Sequence, residues 1–222
     1  AIGDMIVRID TATATVHILF YIWLPDVTGT KMAEAAMRAA RRGVTVRVLV
    51  DDIGSRRLIR SPLWPSMKEA GVHLAIALPV GKPLIEFLFK RIDLRNHRKI
   101  VVVDGAVTWA GSRNCADAAF AIKAQFAPWV DVLMRVEGPV VRQFQSVFLR
   151  DWMVHGHEDL SGLLDAPQPP AGGGFTGQVV ASGPDQAASG MSETLSALLY
   201  SARRKVTITT PYFLPDAAPG WL

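Results

Sequence analysis

The sequence predicts an α/β protein in which helices flank a β-sheet. Over the first 80 residues, short apolar runs rich in β-branched residues alternate with helical patterns, and glycines separate them. Strands separated by helices indicate βαβ units around a largely parallel sheet. Half of the 222 residues are hydrophobic and 20% are charged. That composition is typical of a globular protein, and it excludes a disordered polymer.

The first 80 residues predict three helices and three strands. In chain order they are a helix over 5–12, a strand over 16–21, a helix over 32–42, a strand over 44–50, a helix over 62–70 and a strand over 72–78. Gly43 and Gly71 follow the second and third helices and are expected to end them. His17 lies inside the first strand and is interpreted as a structural histidine of the sheet.

The chain after residue 98 predicts a hairpin, a further strand and a long helix. In order these are a strand over 99–103, a turn at Asp104-Gly105, a strand over 107–110, a strand over 129–136 and an amphipathic helix over 139–152. Between the two halves, residues 81–94 have a mixed pattern that predicts no single element.

A stretch rich in proline and glycine, residues 161–177, predicts a linker. After it the sequence begins again. Residues 16–26 align without a gap on residues 206–216, at an offset of 190 positions, and both segments end in Leu-Pro-Asp. The helical pattern over 191–202 matches the helix that precedes the first of these segments.

This match has two interpretations. Two unrelated helix–strand units share patterns in any case, so the likeness can be a coincidence. A gap-free run with a common Leu-Pro-Asp ending favours a true repeat. We therefore expect a first repeat over residues 1–160, the linker over 161–177, and the incomplete beginning of a second repeat over 178–222.

Charge and cysteine content narrow the function classes only slightly. The chain has 24 Lys+Arg against 20 Asp+Glu, for a formal net charge of +4, which is compatible with a phosphate-bearing partner but identifies none. A single cysteine, Cys115, excludes an intramolecular disulfide framework and a multi-cysteine metal site. No stretch reaches the roughly 18 apolar residues that span a bilayer, so we expect no transmembrane segment in this chain.

One group of residues has the composition of a reaction site. It follows the pattern H-x-K-x4-D-x6-G-S-x-N, formed by His97, Lys99, Asp104, Gly111, Ser112 and Asn114. Side chains two apart on a strand share a face, so His97 and Lys99 point the same way. Asp104 falls on the opposite face and closes the strand, and the next strand delivers Ser112 and Asn114.

Such a group suits phosphoryl chemistry. A neutral imidazole can attack phosphorus, and His97 is neutral near pH 7 at its ordinary pKa. Lys99 can offset the charge of the non-bridging oxygens, and Ser112 and Asn114 can donate hydrogen bonds to them. No carboxylate cluster of the metal-binding type lies in the pattern, so Lys99 takes the place of a metal ion. We expect neither a metal nor a cofactor.

This pattern is that of the phospholipase D superfamily, matched at every defining position. The flanking sequence resembles the bacterial cardiolipin synthase branch, and the likeness covers nearly the whole chain. The flanking segments that carry it are 41–47, 51–55, 96–100, 137–141, 148–152, 182–185 and 210–216.

The resemblance implies a phospholipase D-like mixed sheet in a two-repeat, pseudo-two-fold enzyme, with one such motif from each repeat. It implies that His97 forms a covalent phosphohistidine and that the histidine of the other motif protonates the leaving alcohol. By the repeat offset, that second histidine is expected near position 287, past Leu222. Asp131 matches the carboxylate that orients the family's histidine through Nδ1. Asp104 belongs to the family's catalytic motif, but its position on the strand favours a structural role.

The expected function is therefore a cardiolipin synthase-type phosphatidyltransferase. Three alternatives stay open: a phospholipase D hydrolase that uses water, a homodimeric nuclease of the superfamily, and a catalytically incomplete fragment. The expected partners are an anionic phospholipid such as phosphatidylglycerol, a membrane surface, and a second catalytic repeat from a C-terminal continuation or from another chain. No nucleic acid is expected. The resemblance implies that the full-length protein is associated with the bacterial inner membrane.

Overall fold

A six-stranded mixed β-sheet forms the centre of the computed structural model, which describes residues 2–80, 95–120, 130–165, 167, 172–183 and 190–209. The strands are β1 (Thr15–Phe20), β2 (Thr45–Asp51), β3 (His73–Ala77), β4 (Lys99–Val103), β5 (Val107–Gly111) and β6 (Leu133–Glu137). They lie in the order β3-β2-β1-β4-β5-β6.

Seven helices accompany the sheet in the described part of the chain. They are α1 (Ile2–Asp10), α2 (Val27–Arg41), α3 (Arg56–Ile59), α4 (Leu63–Glu69), α5 (Val140–Gly156), α6 (Ser161–Leu164) and α7 (Gly190–Ser201). None of the described helices is long and apolar enough to cross a membrane.

The direction of the strands divides the sheet into a parallel part, as the pattern of the first 80 residues predicts, and an antiparallel part. Strands β1, β2 and β3 run parallel, whereas β4, β5 and β6 join them in antiparallel pairs. The first three strands are separated by helices, which return the chain to the same end of the sheet. The turn between β4 and β5 is too short for such a return, so those strands must be antiparallel. The mixed sheet that the family resemblance implies is confirmed.

Helices cover both faces of the sheet. Met5 of α1 and Met32 of α2 pack with Ile18 of β1 in one buried cluster. Phe148 of α5 packs with Leu19 of β1 in a second cluster on the other face. Adjacent strand residues thus enter opposite layers, as the alternation of side chains along a strand requires. The result is a helix–sheet–helix sandwich.

Helix α2 begins five residues earlier than the predicted helix over 32–42. Asp26 caps it, because its Oδ1 accepts a hydrogen bond from the Gly29 backbone N–H at 2.9 Å. The first turn contains two threonines and a glycine, which are poor helix formers and hid the true start. At the other end, Gly43 adopts a φ of 91°, a left-handed value that ends the helix as predicted.

Two elements near the C-terminal side of the sheet differ from the predicted bounds. Strand β6 begins at Leu133, while residues 130–132 precede it without strand structure, and residue 129 lies outside the described residues. Helix α5 continues four residues beyond the predicted end at 152 and stops at His157, whose φ is 54°.

The region after residue 160 has helices but no strand among the described residues. Helix α6 lies inside the predicted linker, and its Leu163 and Leu164 pack against the cluster beneath α5. Helix α7 forms where a helix was predicted over 191–202, without a buried residue. Residues 206–209 are exposed and not in a strand, whereas 210–216 lie outside the described residues. The backbone N–H and C=O groups of a strand need a neighbouring strand to pair with. The division of the chain into two repeats stays a prediction.

Candidate functional site

One end of the sheet brings four of the motif side chains together. His97 and Lys99 lie at the start of β4, and Ser112 and Asn114 follow the end of β5. Because β4 and β5 are antiparallel, with Ile100 opposite Ala110, the start of one strand lies beside the end of the other. The ends of β1 and β2 and the start of β6 reach the same edge. The structure thus gathers the groups that were expected to meet.

Lys99 lies close to His97 and is only partly accessible. Its Nζ donates a hydrogen bond to the backbone carbonyl of His97. Burial lowers the pKa of Lys99 to about 8, and the nearby Asp131 carboxylate opposes that change. The side chain is therefore mostly a cation at neutral pH, in an environment with less water than a surface lysine has.

The His97 imidazole stacks on the ring of Tyr21, with centroids 3.9 Å apart and planes inclined by 17°. Burial lowers the pKa of His97, the charge of Lys99 lowers it further, and Asp51 opposes both. These influences favour the neutral imidazole at pH 7, which is the form that carries a nucleophilic lone pair.

The two residues beside Lys99 and His97 are anchored on the other face of the sheet. Asn96 donates through Nδ2 to Asp151 Oδ2 at 2.8 Å, and the Arg98 guanidinium pairs with Asp151 Oδ1. Asn96 also accepts from the Arg98 backbone N–H at 3.1 Å. Asp151 belongs to α5 and is buried. Helix α5 thereby holds both chain neighbours of His97.

A second buried ion pair fixes the chain just before the motif. Arg95 donates through Nε to Asp51 Oδ2 at 2.8 Å and through Nη2 to the Leu78 carbonyl at 2.8 Å. Asp51 ends β2 and is almost fully buried. Its Oδ1 accepts hydrogen bonds from two backbone N–H groups of the following turn. The end of β2 therefore holds the segment that leads into His97.

Ser112 and Asp131 contact each other. Ser112 Oγ donates to Asp131 Oδ1 at 2.7 Å and accepts from the Val132 backbone N–H at 3.0 Å. Gly111 permits this close approach, since a Cβ there would lie 2.1 Å from the Val132 carbonyl oxygen. Between these described residues, no hydrogen bond joins Asp131 to the His97 ring. The orienting role of Asp131 stays a prediction.

Asn114 is tied to the segment after β1. Its Oδ1 accepts from the Ile22 backbone N–H at 3.1 Å, and Trp23 forms an isolated parallel bridge with Cys115. Because Oδ1 is engaged, the group that Asn114 can offer a phosphate oxygen is its amide N–H. Cys115 is fully buried, which raises the pKa of its thiol, so it is a packing residue here.

Asp104 lies at the opposite end of β4. Five residue steps separate it from Lys99, which is about 17 Å of strand. Its carboxylate accepts hydrogen bonds from the backbone N–H groups of Thr13, Ala14 and Thr15 at 2.8–2.9 Å. Burial opposes ionisation, but these bonds outweigh it and hold the pKa of Asp104 below its usual value. This geometry supports the structural interpretation of Asp104 and places it away from the reacting groups.

Four residues of the site escaped the sequence interpretation: Tyr21, Asp51, Arg95 and Asp151. Tyr21 follows an apolar strand and has the pattern of a core aromatic residue. Asp51 carries the one available signal, because an acid directly after a buried strand marks a strand end. Arg95 and Asp151 carry no such signal, because the residues that they contact lie far away in sequence. Within the described ranges, no group of three His, Cys, Asp or Glu side chains could hold a metal ion.

Comparison with known proteins places this geometry in a family. The family model described as "Cardiolipin synthase, PLD-like domain" matches residues 5–152, about two thirds of the chain. The chain belongs to this family. The matched residues contain the whole sheet and every motif side chain described above, so the family assignment and the candidate site concern the same part of the molecule.

Curated relatives agree with the assignment. Cardiolipin synthase A of Edwardsiella ictaluri is 37% identical over 222 residues, which cover 97% of this chain and 45% of that protein. Cardiolipin synthase A of Yersinia pseudotuberculosis is 37% identical over 217 residues, with 94% and 43% covered. The chain thus spans less than half the length of these relatives.

Solved structures show weaker likenesses. NucT from Helicobacter pylori has a TM-score of 0.49 and 17% identity, over 69% of this chain and 87% of that chain. Nuc from Salmonella typhimurium, described as a phospholipase D family member, has a TM-score of 0.46 and 16% identity over the same shares. The family assignment rests on the sequence matches.

Proposed function

We propose that this chain supplies the nucleophilic part of a cardiolipin synthase-type phosphatidyltransferase, with His97 as the nucleophile. The observation that carries the proposal is the pairing of His97 with Lys99 at one sheet end, in a chain 37% identical to proteins named cardiolipin synthase A. An imidazole with a lowered pKa beside a partly buried cation suits attack on a negatively charged phosphodiester.

The first step forms a covalent intermediate. The Nε2 lone pair of His97 attacks phosphorus, an N–P bond forms, and the P–O bond to the leaving alcohol breaks. The electron pair of that bond goes to the leaving oxygen, which takes a proton from a general acid. We propose that this acid is the histidine of a second motif, contributed by a continuation of the chain or by another chain.

The second step reverses the first with a different alcohol. The hydroxyl oxygen of an acceptor lipid attacks phosphorus and gives its proton to the former acid. The N–P bond breaks and its electron pair returns to Nε2 of His97. Water in place of the lipid hydroxyl produces hydrolysis by the same atoms, so the exclusion of water decides between transfer and phospholipase D activity.

The phosphate is bound by Lys99, Asn114 and Ser112. Lys99 offsets the charge of the non-bridging oxygens, which grows as phosphorus becomes five-coordinate. The Asn114 amide donates to one of those oxygens. Ser112 donates to another once its hydroxyl turns away from Asp131, the partner that it has in the free site. Asp131 keeps Lys99 charged through its nearby carboxylate. Asp104 maintains the sheet and takes no part in the reaction.

The proposed substrate is an anionic phospholipid at a membrane surface, of the phosphatidylglycerol type. Helix α3 supports this choice, because Arg57 and Arg60 are exposed on or directly after it. Ser55, the residue before α3, contacts the Tyr21 carbonyl in the site. Basic side chains near the site would attract anionic headgroups to it. In the full-length protein, this surface would face the bacterial inner membrane.

Trapping the intermediate tests the proposal. The protein with its second motif is mixed with phosphatidylglycerol labelled at phosphorus and denatured within a turnover. Peptide mapping at alkaline pH then locates the label. We expect it on His97, and we expect His97→Ala to abolish both label and turnover while retaining the fold. His73→Gln, at an exposed histidine outside the site, is the matched control and should label like the parent protein.

The products separate the two reactions. Transfer forms a lipid with two phosphatidyl groups, whereas hydrolysis forms phosphatidate. Label on another residue, or its absence from an enzyme that turns over, would refute His97 as the nucleophile.

A further inference from the structure

We propose that Tyr21 is a positioning residue for this reaction, whose ring face sets the orientation of the His97 imidazole and holds Lys99 beside it. The inference deepens the proposed function and rests on it for the activity measurement. Its structural part concerns the titration of His97 in this chain and can be measured without any substrate.

One aromatic face serves both reacting side chains. The Tyr21 and His97 rings stack at 3.9 Å between centroids with an inclination of 17°. The Nζ of Lys99 lies 5.3 Å from the centroid of the same Tyr21 ring, within the range of a cation–π contact. Tyr21 directly follows β1, where Phe20 lies opposite Lys99 in the β1–β4 pair. The strand register therefore places the ring beside the motif.

The backbone behind the ring is held tightly. Ser55 Oγ donates a hydrogen bond to the Tyr21 carbonyl at 3.0 Å and accepts one from the Trp23 backbone N–H at 2.9 Å. Ser55 is fully buried. At Gly54 a Cβ would lie 2.2 Å from the Tyr21 carbonyl oxygen. The turn after β2 thus needs a glycine and a hydroxyl at these two positions to hold Tyr21 in place.

The ring is neutral and presents its electron-rich face. Burial raises the pKa of the Tyr21 hydroxyl, Asp51 raises it further, and Arg95 opposes both. The hydroxyl is therefore protonated at neutral pH. A neutral aromatic face attracts cations. It would stabilise Lys99 throughout, and the His97 ring when its Nε2 bonds to phosphorus and the imidazole gains positive charge.

A positioning role differs from simple packing in what a substitution changes. Tyr21 also packs against a small apolar cluster that contains Ile22 and Leu24. If packing were its whole contribution, any apolar side chain of similar size would replace it. If the face of the Tyr21 ring orients and stabilises the site, only another aromatic ring would replace it.

The test compares Tyr21→Phe, which retains the face, with Tyr21→Leu, which retains apolar bulk alone. In this chain, labelled histidine followed by NMR gives the pKa of His97. We expect Tyr21→Leu to lower it, because the cationic imidazole loses its aromatic partner, and Tyr21→Phe to leave it unchanged. In the protein with its second motif, we expect kcat to fall about tenfold in the leucine variant and to stay within about twofold in the phenylalanine variant, with KM unchanged in both.

Each result of this comparison supports or contradicts the positioning role of Tyr21. An unchanged His97 titration and kcat in a folded Tyr21→Leu protein would reduce Tyr21 to packing. Equal losses in both variants would assign the effect to the hydroxyl and overturn the role of the face. If the leucine variant fails to fold, Tyr21→Met gives the same comparison. An altered titration in a protein that transfers no phosphatidyl group would retain the positioning role and refute the proposed function.

Discussion

At the scale of single residues, the buried His17 shows how far burial can shift the pKa of a side chain. The sequence predicts a structural histidine there. The structure places it in the sheet, fully buried, with its ring stacked on Phe148 at 4.7 Å. Neither ring nitrogen has a hydrogen-bond partner among the residues that the structure describes. Burial lowers the pKa of His17 from 6.5 to about 3, Arg47 lowers it further, and Glu158 opposes both. The neutral imidazole behaves here as an aromatic core residue.

This burial predicts a pH dependence of stability. Because the pKa of His17 is lower in the folded protein, the unfolded chain binds the proton first as the pH falls. The free energy of unfolding should therefore decrease from about pH 6.5 towards pH 3, by up to about 1.4 kcal/mol per pH unit. Urea unfolding at a series of pH values measures it. His17→Phe should remove this part of the dependence, and His73→Phe, at an exposed position, should retain it. If the free energy of unfolding of His17→Phe changed with pH as it does in the parent protein, the assignment of this pH dependence to His17 would be contradicted.

At the scale of elements, helix α2 is positioned by a close backbone contact at its start. A Cβ on Gly29 would lie 1.7 Å from the Leu24 carbonyl oxygen, and the Trp23 indole donates to the Gly29 carbonyl at 3.0 Å. Asp26 caps the helix and also accepts from the Asp117 backbone N–H at 2.8 Å. The first turn of α2 is thus joined to the segment after β1 and to the segment after β5.

Two glycines at helix starts give a matched comparison. Gly29→Ala should lower the free energy of unfolding by about 2–4 kcal/mol, because the methyl group would collide with backbone that cannot move freely. Gly3→Ala, in α1 where no neighbouring atom of the described residues lies within 4 Å of the added carbon, should raise it by about 0.5–1 kcal/mol. Denaturant unfolding measures both. Similar effects of the two substitutions would show that helix propensity, and not the close contact, governs position 29.

At the scale of the whole molecule, the proposed nucleophile and the structural carboxylate lie at opposite ends of the sheet. One end holds His97 and Lys99. The other holds Asp104, whose carboxylate ties the turn between β4 and β5 to the backbone before β1. The strand length between them keeps the two groups from direct contact. Stability and chemistry should therefore respond independently to changes at the two ends.

Asp104→Asn tests this separation. The amide keeps one acceptor oxygen and loses the charge, so the free energy of unfolding should fall by about 1–3 kcal/mol. The kcat of the folded variant should match that of the parent protein, since the substitution lies far from His97. Denaturant unfolding and lipid turnover, measured on the same preparation, give both values. Loss of turnover at undiminished stability would return Asp104 to the catalytic group.

The sequence predicted the strands of the sheet to within a few residues, because alternation and β-branched runs are local properties. The start of α2 was missed because Asp26, Gly29 and Asp117 stabilise it through contacts that override weak helix propensity. The gathering of His97 and Lys99 with Ser112 and Asn114 was predictable, since a hairpin brings its own ends together. The contacts of Tyr21 and Asp151 with the motif segment were not predictable, because each of these residues approaches it from an element that is distant in sequence.

By itself, the sequence determined the family, the motif and the alternation of helices and strands. These depend on which side chains are present and on spacings of a few residues, which chain geometry converts into faces and turns. Only the tertiary structure decided that Tyr21 lies against His97 and that Asp151 of α5 holds both chain neighbours of His97. Those contacts join residues about 50 to 75 positions apart, and strand register and helix packing bring them together.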